Sequence, residues 1–204
     1  MQIDDLLKKY DGFVFDLDGT LVDSMPLHLA GWEHAAAIYG FHYDKTWFYN
    51  LGGVPSRKIA KLVADTQKVT IDIDAVTKTK SDYYQTVIMQ ATAFPVMKEL
   101  VADLAQHRPL AIGTGSTRAN AEIVLTSSGL APYFRVITSA DDVVHHKPNP
   151  DTFLLSAAKI DTKPSRCLVF EDTEIGLQAA QKAQMDCVFI RDGQPDWDTF
   201  TPGN

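Results

Sequence analysis

Acidic side chains directly follow two apolar runs of this chain of 204 residues, at positions where they could share one site. Asp16 and Asp18 come after the first run, and Glu171 and Asp172 come after a later one. In extended backbone, residues i and i+2 point the same way, so Asp16 and Asp18 can reach the same space. Such carboxylates can act as a nucleophile or a general acid–base, or can hold a hard cation such as Mg²⁺.

Thr114-Gly115-Ser116 and Lys147 add groups that could bind an anion. The Thr114 hydroxyl and the amides of Gly115 and Ser116, near a predicted helix start, are possible donors. Lys147 is followed by a proline and offers a compact positive charge. The alternative is that Ser116 only caps the next helix and that the lysine is solvated. Strand ends favour polar residues in general, but several carboxylates grouped with a lysine fit that explanation poorly.

A strand–helix alternation is expected to position these groups. Five apolar runs are too short for helices and predict buried parallel strands, at Phe13–Phe15, Leu110–Gly113, Val136–Thr138, Cys167–Phe170 and Cys187–Ile190. Helical patterns separate the later runs, at Val96–Gln106, Thr117–Ser127, Asp151–Ile160 and Thr173–Gln184. The pattern predicts an α/β fold, in which ligands bind beyond the carboxyl ends of the strands.

The stretch 21–91 interrupts this rhythm with three predicted helices, Leu27–Tyr39, Ser56–Gln67 and Asp72–Ala91. An insertion of this length is too long for a loop. We therefore predict a helical cap domain at 21–91 and an α/β catalytic core at 1–20 and 92–204. The turn-rich tail Asp192–Asn204 is expected to fray.

Four segments, FDLDGTLVDS, GTGS, HKPNPD and VFEDTEIG, resemble the four ordered motifs of the haloacid dehalogenase-like hydrolase superfamily. The resemblance spans residues 12 to 190 and is nearest to the β-phosphoglucomutase-like sugar phosphatases. It implies a Rossmann-like, doubly wound, mostly parallel sheet with a helical cap inserted after the first motif.

The resemblance also implies a role for each motif residue. Asp16 would be the nucleophile, Asp18 the general acid–base, and Lys147 the cation that stabilises the transferring phosphoryl group. Thr114, Gly115 and Ser116 would bind phosphate. The Mg²⁺ ligands would be Asp16, Asp18 through its backbone carbonyl, Asp172, and Glu171 through water.

In the cap, His28, Gly53 and Arg57 are candidate substrate-binding residues by the same resemblance. The alternative for Arg57 is a solvated helix face. The segment Leu51–Pro55 resembles the substrate-specificity loop of the subgroup, in which the mutases carry a lysine where Gly52 stands here.

The resemblance implies a magnesium-dependent phosphatase of a small phosphorylated metabolite, with a sugar phosphate as the expected substrate and an aspartyl-phosphate intermediate. The alternative within the fold is a β-phosphoglucomutase. A haloacid dehalogenase is disfavoured, because those relatives typically lack an aspartate at the position of Asp18. A dinucleotide-binding domain is disfavoured because Arg118 stands where GxGxxG needs glycine. A catalytically dead scaffold usually loses the nucleophile or the lysine.

Composition limits the partners. The chain has 19 basic and 26 acidic residues, a net charge of −7, which disfavours nucleic-acid binding. It contains no apolar run near the roughly 18–20 residues that span a bilayer, so no membrane partner is expected. The sequence begins without a signal-peptide pattern, so we expect a cytoplasmic protein, and a monomer. Cys167 and Cys187 lie in apolar runs and are expected to be reduced core residues.

Overall fold

A computed structural model describes residues 3–203 and contains a six-stranded sheet with helices on both faces and a separate group of helices. In chain order the elements are α1 (Ile3–Lys9), β1 (Gly12–Phe15), α2 (Met25–Tyr39), α3 (Lys45–Tyr49), α4 (Ser56–Gln67), α5 (Ile73–Val87), α6 (Pro95–Leu104), β2 (Leu110–Gly113), α7 (Arg118–Ser127), β3 (Val136–Thr138), α8 (Asp151–Lys159), β4 (Cys167–Glu171), α9 (Glu174–Lys182), β5 (Asp186–Arg191) and β6 (Gln194–Thr201). Residues 1, 2 and 204 of the predicted core range lie outside the described part.

The sheet order is β3-β2-β1-β4-β5-β6, with β1 to β5 parallel and β6 antiparallel to β5. This confirms the predicted doubly wound, mostly parallel α/β sheet. Phe15 at the end of β1 pairs with Ile112 of β2 and Phe170 of β4. Because these strands are parallel, the segments that follow β1, β2 and β4 all leave the sheet at the carboxyl-terminal end of the strands.

Side chains of the central strands alternate between two buried cores, as the period of two requires. Phe15 and Phe170 stack at 4.6 Å on the face covered by α6 and α7. Val14 and Val169 point to the other face and pack against α8 and α9. This double burial explains the continuous apolar runs and gives the strand ends a rigid base.

Helices α2 to α5 form a third apolar cluster of their own, with Trp32, Phe48 and Val63 at its centre. The chain enters and leaves this group through two adjacent segments: the Asp23 amide donates to the Thr92 carbonyl at 2.9 Å, and the Phe94 amide donates to the Leu21 carbonyl at 2.9 Å. The division into a core at 1–20 and 92–204 and a cap at 21–91 remains our proposal.

The prediction that the tail frays is wrong for its described part, because Gln194–Thr201 forms strand β6 against β5. Asp192 and Gly193, at φ 49° and 71°, form the two-residue turn between them. Two consecutive positive φ angles are typical of hairpin turns, and Asp-Gly is a favoured pair for them. Trp197 then packs edge-on against Phe170 at 6.3 Å. Asn204 lies outside the described residues.

Other differences are local. Helices α1 and α3 were not predicted, and α5 ends at Val87 before a short 3₁₀ turn, Ile88–Gln90, instead of reaching Ala91. Cys167 and Cys187 are free and buried, as predicted. Within residues 3–203, none of the helices has the length and apolar character needed to cross a membrane.

Candidate active site

Three carboxylates meet where β1 and β4 end. Each of Asp16, Glu171 and Asp172 contributes an oxygen, and these oxygens all lie within 4.8 Å of one another. All three side chains are buried. Like charges so close and so far from water repel strongly, so the group requires a positive partner.

Lys147 supplies one positive charge. Its Nζ lies 2.6 Å from Asp16 Oδ1 and 3.3 Å from Glu171 Oε1, and the residue is 1% exposed. Burial alone would lower the pKa of Lys147, but the Asp16 and Glu171 carboxylates more than offset burial and raise that pKa above its ordinary value. The lysine is therefore charged at neutral pH and fixed beside the predicted nucleophile.

Glu171 has its oxygens engaged within the protein. Its Oε1 accepts from Lys147 and from the Thr173 hydroxyl at 2.9 Å. Its Oε2 accepts from the amides of Asp172 at 2.6 Å and Thr173 at 3.3 Å. Gly176 leaves room for this carboxylate, since a Cβ there would overlap Glu171. Glu171 therefore positions Lys147.

Only one of the two carboxylate oxygens of Asp172 has a hydrogen-bond partner among the described residues. Oδ1 accepts from the Thr20 hydroxyl at 2.8 Å, whereas Oδ2 is buried without a hydrogen-bond partner among the described residues. Burial, then the Glu171 and Asp16 charges, raise the pKa of Asp172 well above its usual range. A buried, unpaired carboxylate oxygen beside two further carboxylates is a donor set that fits a hard divalent cation. The absence of a side chain at Gly19 makes room for the Asp172 carboxylate, because a Cβ at this position would overlap Asp172 Oδ2.

Asp18 points away from this group. Its Oδ1 accepts from the Ser24 hydroxyl at 2.5 Å and lies 3.3 Å from His28 Nε2, while Oδ2 accepts from the Ser116 hydroxyl at 2.6 Å. Burial would raise the pKa of Asp18, but the His28 ring and the two hydroxyls more than offset it and lower that pKa below its ordinary range. The carboxylate is thus oriented as a base, separate from the three clustered carboxylates.

The contact of His28 leads to a residue that the sequence analysis missed. His28 Nδ1 lies 2.9 Å from Nζ of Lys80, which is buried on α5. With a charged Lys80 donating to Nδ1, the neutral ring carries its proton on Nε2, facing Asp18. Burial lowers the pKa of Lys80 to about 8. The sequence did contain a signal that Lys80 is buried. It lies four residues from each of Val76 and Tyr84, which are buried on the same face of α5.

The loop after β2 brings Thr114, Gly115 and Ser116 to the same place. The Thr114 hydroxyl accepts from the Ser116 amide at 3.0 Å, and the Ser116 hydroxyl is committed to Asp18. Gly115 lies under the helical group, where a Cβ would overlap the carbonyl of Gly53. The backbones of these two loops are therefore in direct contact.

A cavity of about 370 Å³, the substrate cavity, opens above these groups. Apolar walls come from Trp32, Phe48 and Leu51, and polar ones from the catalytic loops and Lys80. Arg57 also lines it, but its guanidinium is exposed and donates to Asp74 at 2.8 Å. Most of the site residues predicted from the sequence line this cavity, whereas Lys147, Glu171 and Asp172 do not; these three contact or neighbour Asp16, which does.

A buried carboxylate held against an ammonium group, next to a donor set for a hard cation, is an arrangement that can bind an anionic group together with a metal ion. The comparisons with known proteins agree. The family model described as haloacid dehalogenase-like hydrolase matches residues 13–190. The chain belongs to this family and, within it, to the β-phosphoglucomutase-like subgroup; it is a phosphatase, a phosphoric monoester hydrolase.

Individual relatives support this placement. Fructose-1-phosphate phosphatase YqaB of Escherichia coli is 37% identical over 186 residues, covering 91% of this chain and 99% of the relative. Beta-phosphoglucomutase of Bacillus subtilis is 28% identical, covering 89% and 84%. The crystal structure of beta-phosphoglucomutase from Clostridium difficile is similar with a TM-score of 0.81 at 25% identity, covering 90% of this chain and 85% of that one.

Proposed function

We propose that this protein is a magnesium-dependent phosphatase of a small sugar phosphate, acting through an aspartyl-phosphate on Asp16. The observation that carries the proposal is the buried Asp16 carboxylate, 2.6 Å from Lys147 Nζ and within 4.8 Å of Asp172. Such a group is desolvated, oriented and close to compensating charge, which are the conditions that make a carboxylate nucleophile effective.

In the first step an Asp16 oxygen attacks phosphorus and the bond to the sugar oxygen breaks. Asp18, which takes up a proton before this step because its carboxylate is ionised in the protein without substrate, gives that proton to the leaving oxygen, and the sugar departs as an alcohol. In the second step Asp18 takes a proton from water, whose oxygen attacks the phosphorus and displaces Asp16. The second step returns the proton to Asp18 and releases inorganic phosphate.

The remaining groups hold the phosphoryl oxygens. In this proposal Lys147 neutralises charge on the transferring group, and the Thr114 hydroxyl and the Gly115 amide donate hydrogen bonds to it. Asp16, Asp172 and the Asp18 backbone carbonyl would hold Mg²⁺, with Glu171 nearby. The bound cation would offset the repulsion between the Asp16 carboxylate and the phosphate dianion.

The substrate cavity supports a sugar-sized leaving group. The cavity of about 370 Å³ is lined in part by residues of helices α2 to α5, and the buried Lys80 ammonium could donate to a hydroxyl or carbonyl oxygen of the sugar. The Escherichia coli relative is named for fructose 1-phosphate. We therefore propose fructose 1-phosphate and related hexose or gluconate phosphates as the first substrates to test.

A phosphatase is favoured over a mutase by Gly52. A Cβ at this position would lie 3.1 Å from Thr173 Cγ2 and 3.3 Å from Met25 Cε, so the loop is packed for glycine. The lysine expected of a mutase at this place would need its neighbours to shift. The assay that separates the two uses β-glucose 1-phosphate with a bisphosphate primer, since a mutase forms glucose 6-phosphate without net loss of phosphate.

The experiment for the main proposal is a screen for phosphate release from small phosphorylated metabolites with Mg²⁺. Asp16→Asn, which removes the nucleophilic charge with little change of shape, is the control. We expect turnover of at least one hexose phosphate by the parent protein and none by the variant. Turnover by Asp16→Asn equal to that of the parent would overturn the mechanism. We expect the enzyme to act as a monomer in the cytoplasm.

A further inference from the structure

A second cavity, of about 1070 Å³, borders the carboxylate group at Asp172. We call it the acidic cleft. It runs between α2–α3 and the β5–β6 turn, and Gly19 and Asp172 form part of its wall. Neither of these two residues lines the substrate cavity, which instead includes Asp16 and Asp18. The clustered carboxylates are therefore reached from two directions.

Helix α2 is the partition between the two cavities. His28 and Trp32 face the substrate cavity, Ala30 and Glu33 face the acidic cleft, and Met25 touches both. This division follows helical periodicity, because residues four apart share a face. Leu29 also lines both cavities, so the two cavities adjoin at Met25 and Leu29 and otherwise have different walls.

The two cavities differ in charge. Five acidic side chains and two basic ones line the acidic cleft: Asp23, Glu33, Asp172, Glu174 and Asp192 against Lys45 and Arg191. Arg191 is paired with Asp196 at 2.8 Å. Among residues 3–203, neither Glu33 nor Asp192 forms an ion pair, so their charges are left facing the cleft. The substrate cavity has three acidic residues against two basic ones and two histidines, a balance better suited to a phosphate ester.

The cleft ends at an unpaired ligand atom. Asp172 is 8% exposed, lines the cleft, and carries the buried Oδ2 that has no hydrogen-bond partner among the described residues. A cleft of one charge sign focuses its field and raises the local concentration of ions of the opposite sign. Here that field leads from the surface to Asp172, the residue that carries the unpaired oxygen.

From these observations we propose that the acidic cleft is the path by which the divalent cation reaches and leaves Asp172, separate from the path of the sugar phosphate. The inference rests on the proposed metal site and adds that the cation can exchange while the substrate cavity is filled. It assigns a role in cation capture to Glu33 and Asp192, which lie outside the catalytic groups.

The test measures Mn²⁺ binding directly, in the absence of substrate. Free Mn²⁺ measured by electron paramagnetic resonance gives the Kd, and stopped-flow mixing with a fluorescent chelator gives association and release rates. Two kinds of variant are compared with matched controls. Glu33→Lys reverses a charge in the cleft, and Asp65→Lys reverses an exposed charge on α4. Ala30→Trp narrows the cleft, and Ala37→Trp adds the same bulk two turns further along α2.

We expect Glu33→Lys to slow Mn²⁺ association about three- to tenfold at low ionic strength, an effect that added salt removes. We expect Ala30→Trp to slow association and release by the same factor and leave the Kd unchanged, which is the signature of a narrowed path. The controls should match the parent. Parent-like rates in both Glu33→Lys and Ala30→Trp would overturn the path, whereas a parent protein that binds no Mn²⁺ would overturn the metal site itself.

Discussion

Nζ of Lys147 lies 2.6 Å from Oδ1 of Asp16, and both side chains are almost fully withdrawn from solvent. The two residues are 131 positions apart in the sequence. Strand β1 fixes one and the loop before α8 fixes the other, so the fold itself sets the distance between nucleophile and cation. The ammonium of Lys147 partly offsets the cost of burying the Asp16 charge, but burial still raises the pKa of Asp16 in the metal-free protein to about 8, so a bound cation is needed to keep this carboxylate ionised at neutral pH.

Replacement of Lys147 by methionine removes the cation and keeps most of the side-chain volume. Loss of one preorganised charged donor to a transferring group typically costs about 10²–10³ in kcat. We expect a loss of that size in steady-state phosphate release. Lys159→Met, which removes a partly exposed lysine on α8, is the control and should keep parent activity. Parent-like turnover of Lys147→Met would remove this lysine from the mechanism.

Metal-free protein should lose stability as pH rises. The pKa values of Asp16 and Asp172 are raised in the folded state, mainly by burial, that of Asp16 to about 8 from an unfolded value of 3.8. The protonated forms therefore make their full contribution to the free energy of unfolding below pH 3.8, and this contribution is lost as pH rises towards 8. The free energy of unfolding falls by up to about 1.4 kcal/mol per pH unit for each proton involved. Thermal unfolding in a chelator measures this slope.

Mg²⁺ should reverse the trend, because it binds the ionised carboxylates. We expect the increase in Tm on adding Mg²⁺ to be larger at pH 8 than at pH 5. Asp172→Asn should flatten the metal-free slope and weaken Mg²⁺ binding. A Tm in chelator that is constant over this range would contradict the assignment of buried, mutually repelling carboxylates.

The chain of contacts from Lys80 through His28 to Asp18 should control the acid–base step. We expect Lys80→Met to lower kcat about tenfold or more, part of the 10²–10⁴ typical of general acid–base catalysis. His28→Gln should lower it similarly, and the double variant should lose less than the product of the two effects. Lys78→Met, an exposed lysine on the same helix, is the matched control.

The pH profile gives an independent check on Lys80. Burial lowers the pKa of this lysine to about 8, so the donor to His28 is lost as pH rises through that value. The parent should therefore show a fall of kcat near pH 8 that Lys80→Met lacks. The same alkaline limb in both proteins would assign it to another group.

The contact between the loop that contains Gly115 and the loop that contains Gly53 predicts the effect of Gly115→Ala. The added methyl overlaps the Gly53 carbonyl, and overpacking of this kind costs about 1–3 kcal/mol. We expect kcat/KM for a hexose phosphate to fall about 5–150-fold, because the helical group is pushed away from the phosphate loop. Activity on acetyl phosphate, which needs little closure, should fall less. Equal losses for both substrates would indicate damage to phosphate binding instead.

The sequence predicted those parts of the fold whose signals are local. Continuous apolar runs identified β1 to β5, and acidic residues directly after two of them identified the edge where the site lies. The pairing of β6 was missed because its stability comes from a turn at Asp192–Gly193 and from packing of Trp197, which composition alone does not show. Lys80 was missed because a lysine is ordinarily solvated, and only its contact with His28 on another helix gives it a role.

The most direct test of the central claim is to trap the phosphorylated enzyme. Asp18→Asn protein, in which hydrolysis of the intermediate is slowed, is mixed with Mg²⁺ and acetyl phosphate, whose leaving group needs no proton from Asp18, and is then quenched in acid, reduced with borohydride and analysed by peptide mass spectrometry. The account predicts reduction of residue 16 to homoserine, in proportion to the enzyme phosphorylated and absent without substrate. Phosphate release with an unmodified Asp16, or a phosphoryl group on another residue, would contradict it.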